Sequence, residues 1–137
     1  MPLDNPGAGI GAAGEFQSSA LPWVTSSVAP NISTGAVQRL DFPRVTRFIT
    51  VANHDAAGKE LRIGFTRNGI KIGGNYFLLD GGQLVTFELR VKHLFLAGDS
   101  SAPTFSVCAG LTTVDSRNMP QLSGTLDDGT PGWAGVG

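Results

Sequence analysis

Apolar and polar residues alternate strictly along residues 83–92. Val85, Phe87, Leu89 and Val91 are apolar, while Thr86, Glu88, Arg90 and Lys92 are polar. A period of two gathers the apolar side chains on one face of an extended strand, whereas a helix would scatter them around its circumference. The spacing predicts a long strand over 83–91 with one buried face, then a shorter strand over 94–96. The same period recurs elsewhere. Residues 59–66 set Leu61, Ile63 and Phe65 against Glu60, Arg62 and Gly64. Residues 104–111 set Phe105, Val107, Ala109 and Leu111 against Ser106, Cys108 and Gly110. The expected core is Leu61, Ile63, Phe65, Val85, Phe87, Leu89, Phe105 and Val107.

Further strands are expected over 23–28, 36–42 and 44–52, with short ones over 69–72 and 75–79. In 44–52, Arg47 falls on the face of Val45, Ile49 and Val51, which places that strand near a sheet end or partly exposed on both sides. Turn signals separate the runs: residues 53–58, Asn68-Gly69, Gly73-Gly74 and residues 80–82. About eight short strands at such intervals, with no capped helical stretch, predict an all-β sandwich or barrel.

Composition supports this reading. The chain has 137 residues, enough for one domain with a core. Charged residues are only 15%, while Gly (19) and Pro (8) are abundant, so the surface is polar through Ser and Thr more than through charge. Residues 1–22 contain Gly7, Gly9, Gly11 and Gly14 and predict a flexible arm. Residues 23–114 form the expected domain, and 115–137 an extended Gly/Pro-rich tail that holds Trp133. A net charge of −1 argues against general nucleic-acid binding. The middle of the chain is basic and both ends are acidic. No signal peptide is visible at the start, and the uncharged run 16–38 is broken by Pro22 and Pro30, so synthesis inside a cell and no membrane span are expected.

No catalytic constellation is visible. His54 and His93 are the only histidines and Cys108 the only cysteine, which excludes an intrachain disulfide. A nucleophile–base site would need one histidine near Cys108 or a serine, together with an orienting carboxylate. Cys108 is expected on a strand, facing away from Val107 and at least half-buried. Metal chemistry lacks clustered histidines, and Asp127-Asp128-Gly129 lacks the spaced ligands of a calcium loop. Gly9-Ile-Gly11-Ala-Ala-Gly14 matches the dinucleotide fingerprint only formally, since no strand precedes it. Asn31-Ile-Ser33 is a glycosylation sequon without a secretory context. The expectation is no enzyme, no metal and no cofactor. Trp23, Tyr76 and Trp133 are the aromatics that a ligand-binding surface would use.

Several phrases carry a resemblance: residues 65–69 (Phe-Thr-Arg-Asn-Gly), residues 87–96, residues 106–112 and the Gly-Trp-Ala-Gly-Val-Gly end. With the Gly-rich arm and the strand pattern, the chain resembles the small single jelly-roll penton, or minor capsid, proteins of large icosahedral double-stranded DNA viruses, the chlorella-virus type. The resemblance spans roughly 23–137. It implies a single eight-stranded jelly-roll sandwich with extended arms at both ends. It further implies a structural role in the virion: a homopentamer at icosahedral vertices, bordered by major and minor capsid proteins. Trp23, Trp133 and Phe16 are then the candidate inter-subunit contacts. A lectin-like or receptor-binding β-sandwich, or a capsid decoration protein, shares nearly all these features.

Overall fold

The computed structural model describes residues 21–118, so Phe16, Trp133, the glycine-rich run 9–14 and residues 127–129 lie outside the described residues. Eight strands form two antiparallel sheets. They are β1 (Leu21–Val28), β2 (Gln38–Asp41), β3 (Arg44–Asn53), β4 (Leu61–Gly64), β5 (Phe77–Leu79), β6 (Leu84–Phe87), β7 (His93–Gly98) and β8 (Thr104–Asp115). Sheet A has the order β1-β8-β3-β6, and sheet B the order β2-β7-β4-β5.

The pairing β1–β8, β2–β7, β3–β6 and β4–β5 describes one long nested hairpin with β4–β5 at its tip. Wrapping that hairpin over itself adds the lateral pairs β3–β8 and β4–β7. The result is an eight-stranded jelly-roll sandwich.

The core lies between the sheets. Leu61, Ile63, Phe105 and Val107 are almost fully buried there beside Ile49, Val51, Leu94 and Leu96, and Phe65, Val85 and Phe87 pack against them partly buried. Each fully buried side chain of this size contributes roughly 1.5–3 kcal/mol through removal from water. Leu89 differs from the expectation: it is 38% exposed. The long strand stops at Phe87, and residues 88–91 leave the ladder to cross toward sheet B. Thr46 substitutes there for a strand neighbour. Its hydroxyl donates to the Leu89 carbonyl (2.6 Å) and accepts from the Val91 amide (3.1 Å).

β3 is an interior strand, not one at a sheet end. Register shifts on either side of Thr46 rotate Arg47 to the outside and leave Val45, Ile49 and Val51 buried. The expected strand over 69–72 is also replaced, by a π-helical turn at Gly69–Gly73. Asn68 sits in the right-handed helical region, so Asn68-Gly69 starts a helical turn and not a hairpin. Gly74 closes it with φ of 66° and an amide bonded to the Gly69 carbonyl, which also accepts from the Asn75 amide (3.1 Å).

This turn has a structural task. Ile70, with Ile32, Val37 and Tyr76 around it, covers Phe95 and Ala97 on the outer side of sheet B. All six residues of β7 are buried as a result. Arg62 pins the cover: it donates to the Asp99 carboxylate (2.6 Å) and the Ile70 carbonyl (2.8 Å) and lies 4.3 Å from the Tyr76 ring centroid.

Candidate functional site

Among the described residues, sheet A has no such cover. Outward-facing positions form rows in register across its strands. One row is Val24–Cys108–Thr50–Thr86, and the next is Ser26–Ser106–Ala52–Leu84. Neither row holds a charged side chain. Val24 is 72% exposed and Leu84 is 65% exposed. The hydroxyls are bonded to one another along the face: Ser26 to Ser106 (2.7 Å) and Thr50 to Thr86 (2.9 Å). The face therefore offers apolar methyls and already-paired hydroxyls, an uncharged and inexpensive surface to desolvate. Phe48 extends it by lying over Gly110, where a Cβ would come within 2.3 Å of the ring.

At the end of this face the chain brings His54 to a serine. His54 Nε2 lies 2.8 Å from Ser106 Oγ, which in turn bonds Ser26 Oγ. An imidazole on a hydroxyl is half of a nucleophile–base arrangement. The three groups sit on open sheet surface, and the Asp55 carboxylate beside them in sequence turns instead to the Ala56 amide (2.8 Å) and to Lys59 (3.5 Å). Cys108 lies one row away, facing opposite to Val107 as expected. It is exposed, because no described residue covers the outer face that holds it.

His93 is placed quite differently. It is buried at the start of β7, edge-on to Phe95 at 5.3 Å between centroids and opposite Asp41. Burial pushes its pKa below the ordinary histidine value. Arg39 and Lys92 push the same way, against the Asp41 carboxylate and the Phe65 backbone. His54 follows the end of β3 in sheet A while His93 opens β7 in sheet B, and the two build no common site. Among the described residues no group of three or more His, Cys, Asp or Glu is arranged to hold a metal ion.

A second feature is a cleft of about 400 Å³ at the open side of the sandwich, lined by Ile63, Phe65, Gly74, Asn75, Tyr76, Phe77 and Phe87. Phe77 of sheet B meets Phe87 of sheet A edge-on across it, with centroids 5.4 Å apart. Tyr76, expected as a ligand-binding aromatic, lines this cleft. Trp23 is partly buried inside the chain, edge-on to Phe42 at 4.8 Å. Sequence reasoning fixed on aromatics and passed over the hydroxyl rows. The signal was present in the alternation of Ser106 and Cys108 with Phe105 and Val107, which puts only uncharged groups outside.

No protein-family model matches the chain, and no curated protein does. Among solved structures it is similar to a Bacillus chain described under the words "Bacillus endospore appendages form a novel family of disulfide-linked pili". The TM-score is 0.43 and the identity 11%, over 67% of this chain and 85% of that chain. A likeness at that level carries no functional inference. No described helix is long and apolar enough to cross a membrane.

Proposed function

We propose that this chain is a structural subunit of a protein shell, a penton that forms a pentamer at the icosahedral vertices of a virion and has no catalytic activity. The observation that carries the reading is the outer face of sheet A, left bare by the described residues, with its uncharged rows and laterally paired hydroxyls. Such a face suits burial against a neighbouring protein better than recognition of a charged substrate. The jelly roll supports the role as a rigid block whose ends and faces meet neighbours, here further copies and the adjoining major and minor capsid proteins. A closed ring would repeat one heterologous contact.

The aromatic cleft at the open side supports a second reading, a lectin-like or receptor-binding module, in which Tyr76 and Phe77 would meet a ligand. A capsid decoration protein is the variant of the first reading in which the same face sits on a finished shell. Native mass spectrometry of the purified protein, with imaging of the particle, tests the proposal. A pentamer, or density at fivefold vertices, is expected. A chain that never joins a particle and binds a glycan through the cleft would overturn it.

A further inference from the structure

The four sheet edges are not equally protected. β5 has three residues and β6 has four. β2 has four and carries Arg39 paired to Asp41 at 2.7 Å. β1 is different: eight residues, Leu-Pro-Trp-Val-Thr-Ser-Ser-Val, with no charge and an unbroken register against β8. Short length, charge, bulges and a covering loop are how natural sheets keep edges from pairing, and among the described residues β1 has none of them beyond Pro22 near its start.

The direction of its free hydrogen-bonding groups follows from the ladder. The Ala29 amide donates to the Pro103 carbonyl (2.9 Å), one residue beyond the Val28–Thr104 pair. Donors and acceptors alternate along an antiparallel strand, so Trp23, Thr25 and Ser27 turn their backbone groups toward β8. Val24, Ser26 and Val28 turn theirs outward, and Pro22, which has no amide hydrogen, ends that outward row. The outward residues are symmetric about Ser26, reading Val-x-Ser-x-Val. A second β1 laid antiparallel about Ser26 sets Val24 opposite Val28 of the second copy, and Ser26 opposite Ser26 of the second copy. Each facing pair then exchanges two backbone hydrogen bonds. The strand matches itself in shape, polarity and hydrogen bonding, and none of its own eight side chains is charged.

We propose that β1 is a self-pairing edge: two copies of this chain join β1 to β1 about a twofold axis, making the two copies of sheet A one continuous sheet. The contact is isologous, so it is separate from any heterologous ring contact and does not depend on the vertex reading.

The test uses the full chain in a concentration series, read by native mass spectrometry and by hydrogen exchange of peptides from 21–28. Even copy numbers are expected, with exchange of that peptide slowing as the protein is concentrated. Val24→Lys with Val28→Lys sets like charges opposite each other and raises the dissociation constant by on the order of tenfold or more. Val24→Lys with Val28→Glu sets lysine opposite glutamate twice and restores the dimer. Both positions are exposed, so both double variants keep the fold, checked by their melting curves. A monomer at every concentration overturns the proposal, as does a charge swap that weakens pairing as much as the double lysine. A pentamer whose β1 exchange is independent of concentration also overturns it and leaves the vertex reading standing. A dimer alone supports it and removes the ring.

Discussion

Asn53→Ala removes three hydrogen bonds at one corner of the sandwich. Asn53 ends β3 and is 2% exposed. Its Nδ2 donates to the carbonyls of Lys59 (2.8 Å) and Leu79 (3.1 Å), and its Oδ1 accepts from the Asp55 amide (3.0 Å). One amide side chain thereby ties the 53–60 connection to the end of β5. Its backbone accepts from Gly82 (2.9 Å) and donates to Gln83 (2.9 Å), which adds the turn into β6. A net contribution of about 1 kcal/mol per bond gives a loss of about 3 kcal/mol for alanine. For a domain of this size that lowers Tm by on the order of 15 °C. Asn53→Asp sharpens the test. It keeps the acceptor for Asp55 but faces two carbonyls with a carboxylate, so at neutral pH it costs at least as much as alanine. Chemical denaturation of the three proteins reads both effects. A loss under about 1 kcal/mol for alanine, or an aspartate variant as stable as the parent at pH 7, would refute the corner as a fastening point.

Gly81→Ala is expected to cost about 2–4 kcal/mol in denaturant unfolding, because its Cβ would lie 1.8 Å from the Ala56 carbonyl oxygen, a backbone atom with little room to move. Gly82→Ala meets nothing within 4 Å but has φ of 77°, so only about 1 kcal/mol of conformational strain is expected. Leu61→Ala empties a fully buried position and should lose about 2–5 kcal/mol, while Leu89→Ala on the exposed crossover should lose less than about 1 kcal/mol. His93 has a folded pKa below the ordinary histidine value of 6.5, so the unfolded chain binds more protons and stability falls as pH drops through that value. Thermal melts between pH 7.5 and 5 should show this decline down to the lowered folded pKa. His93→Gln should flatten it, and an unchanged slope would assign the effect elsewhere.

The strand pattern was largely legible because most strands leave one face open, so period two survives in β4, β6 and β8, whereas β7 is covered on both faces. It misled where another interaction imitates a strand. Leu89 and Val91 continue the alternation in sequence, yet residues 88–91 are held beside β3 by Thr46 without a ladder, and Leu89 is exposed. The short run Gly69-Ile-Lys-Ile72 fits a strand or a helical turn equally well, and tertiary cover of β7 decided for the turn. Arg47 looked misplaced because a register shift is invisible in a count of two. The site was less legible. His54 and Ser106 are 52 residues apart, and only the β3–β8 pairing brings them within 2.8 Å. Asn53 reads as a turn residue in sequence, and its three bonds depend on where Leu79 and Lys59 arrive.

The nested hairpin also sets an order for synthesis. At its tip Leu61 pairs with Leu79, but at its open end Leu21 must wait for Leu111, 90 residues later (111 − 21). Closing the inner loops first is the least costly route, so pairing should spread from the tip outward. At roughly 5–20 residues per second, a ribosome leaves β1 without its β8 neighbour for about 5–18 s. During that interval both edges of an uncharged eight-residue strand are open to other nascent chains on the same message. Limited proteolysis of ribosome-stalled chains ending before residue 104 or well beyond 115 would show β1 cleavable in the first and shielded in the second.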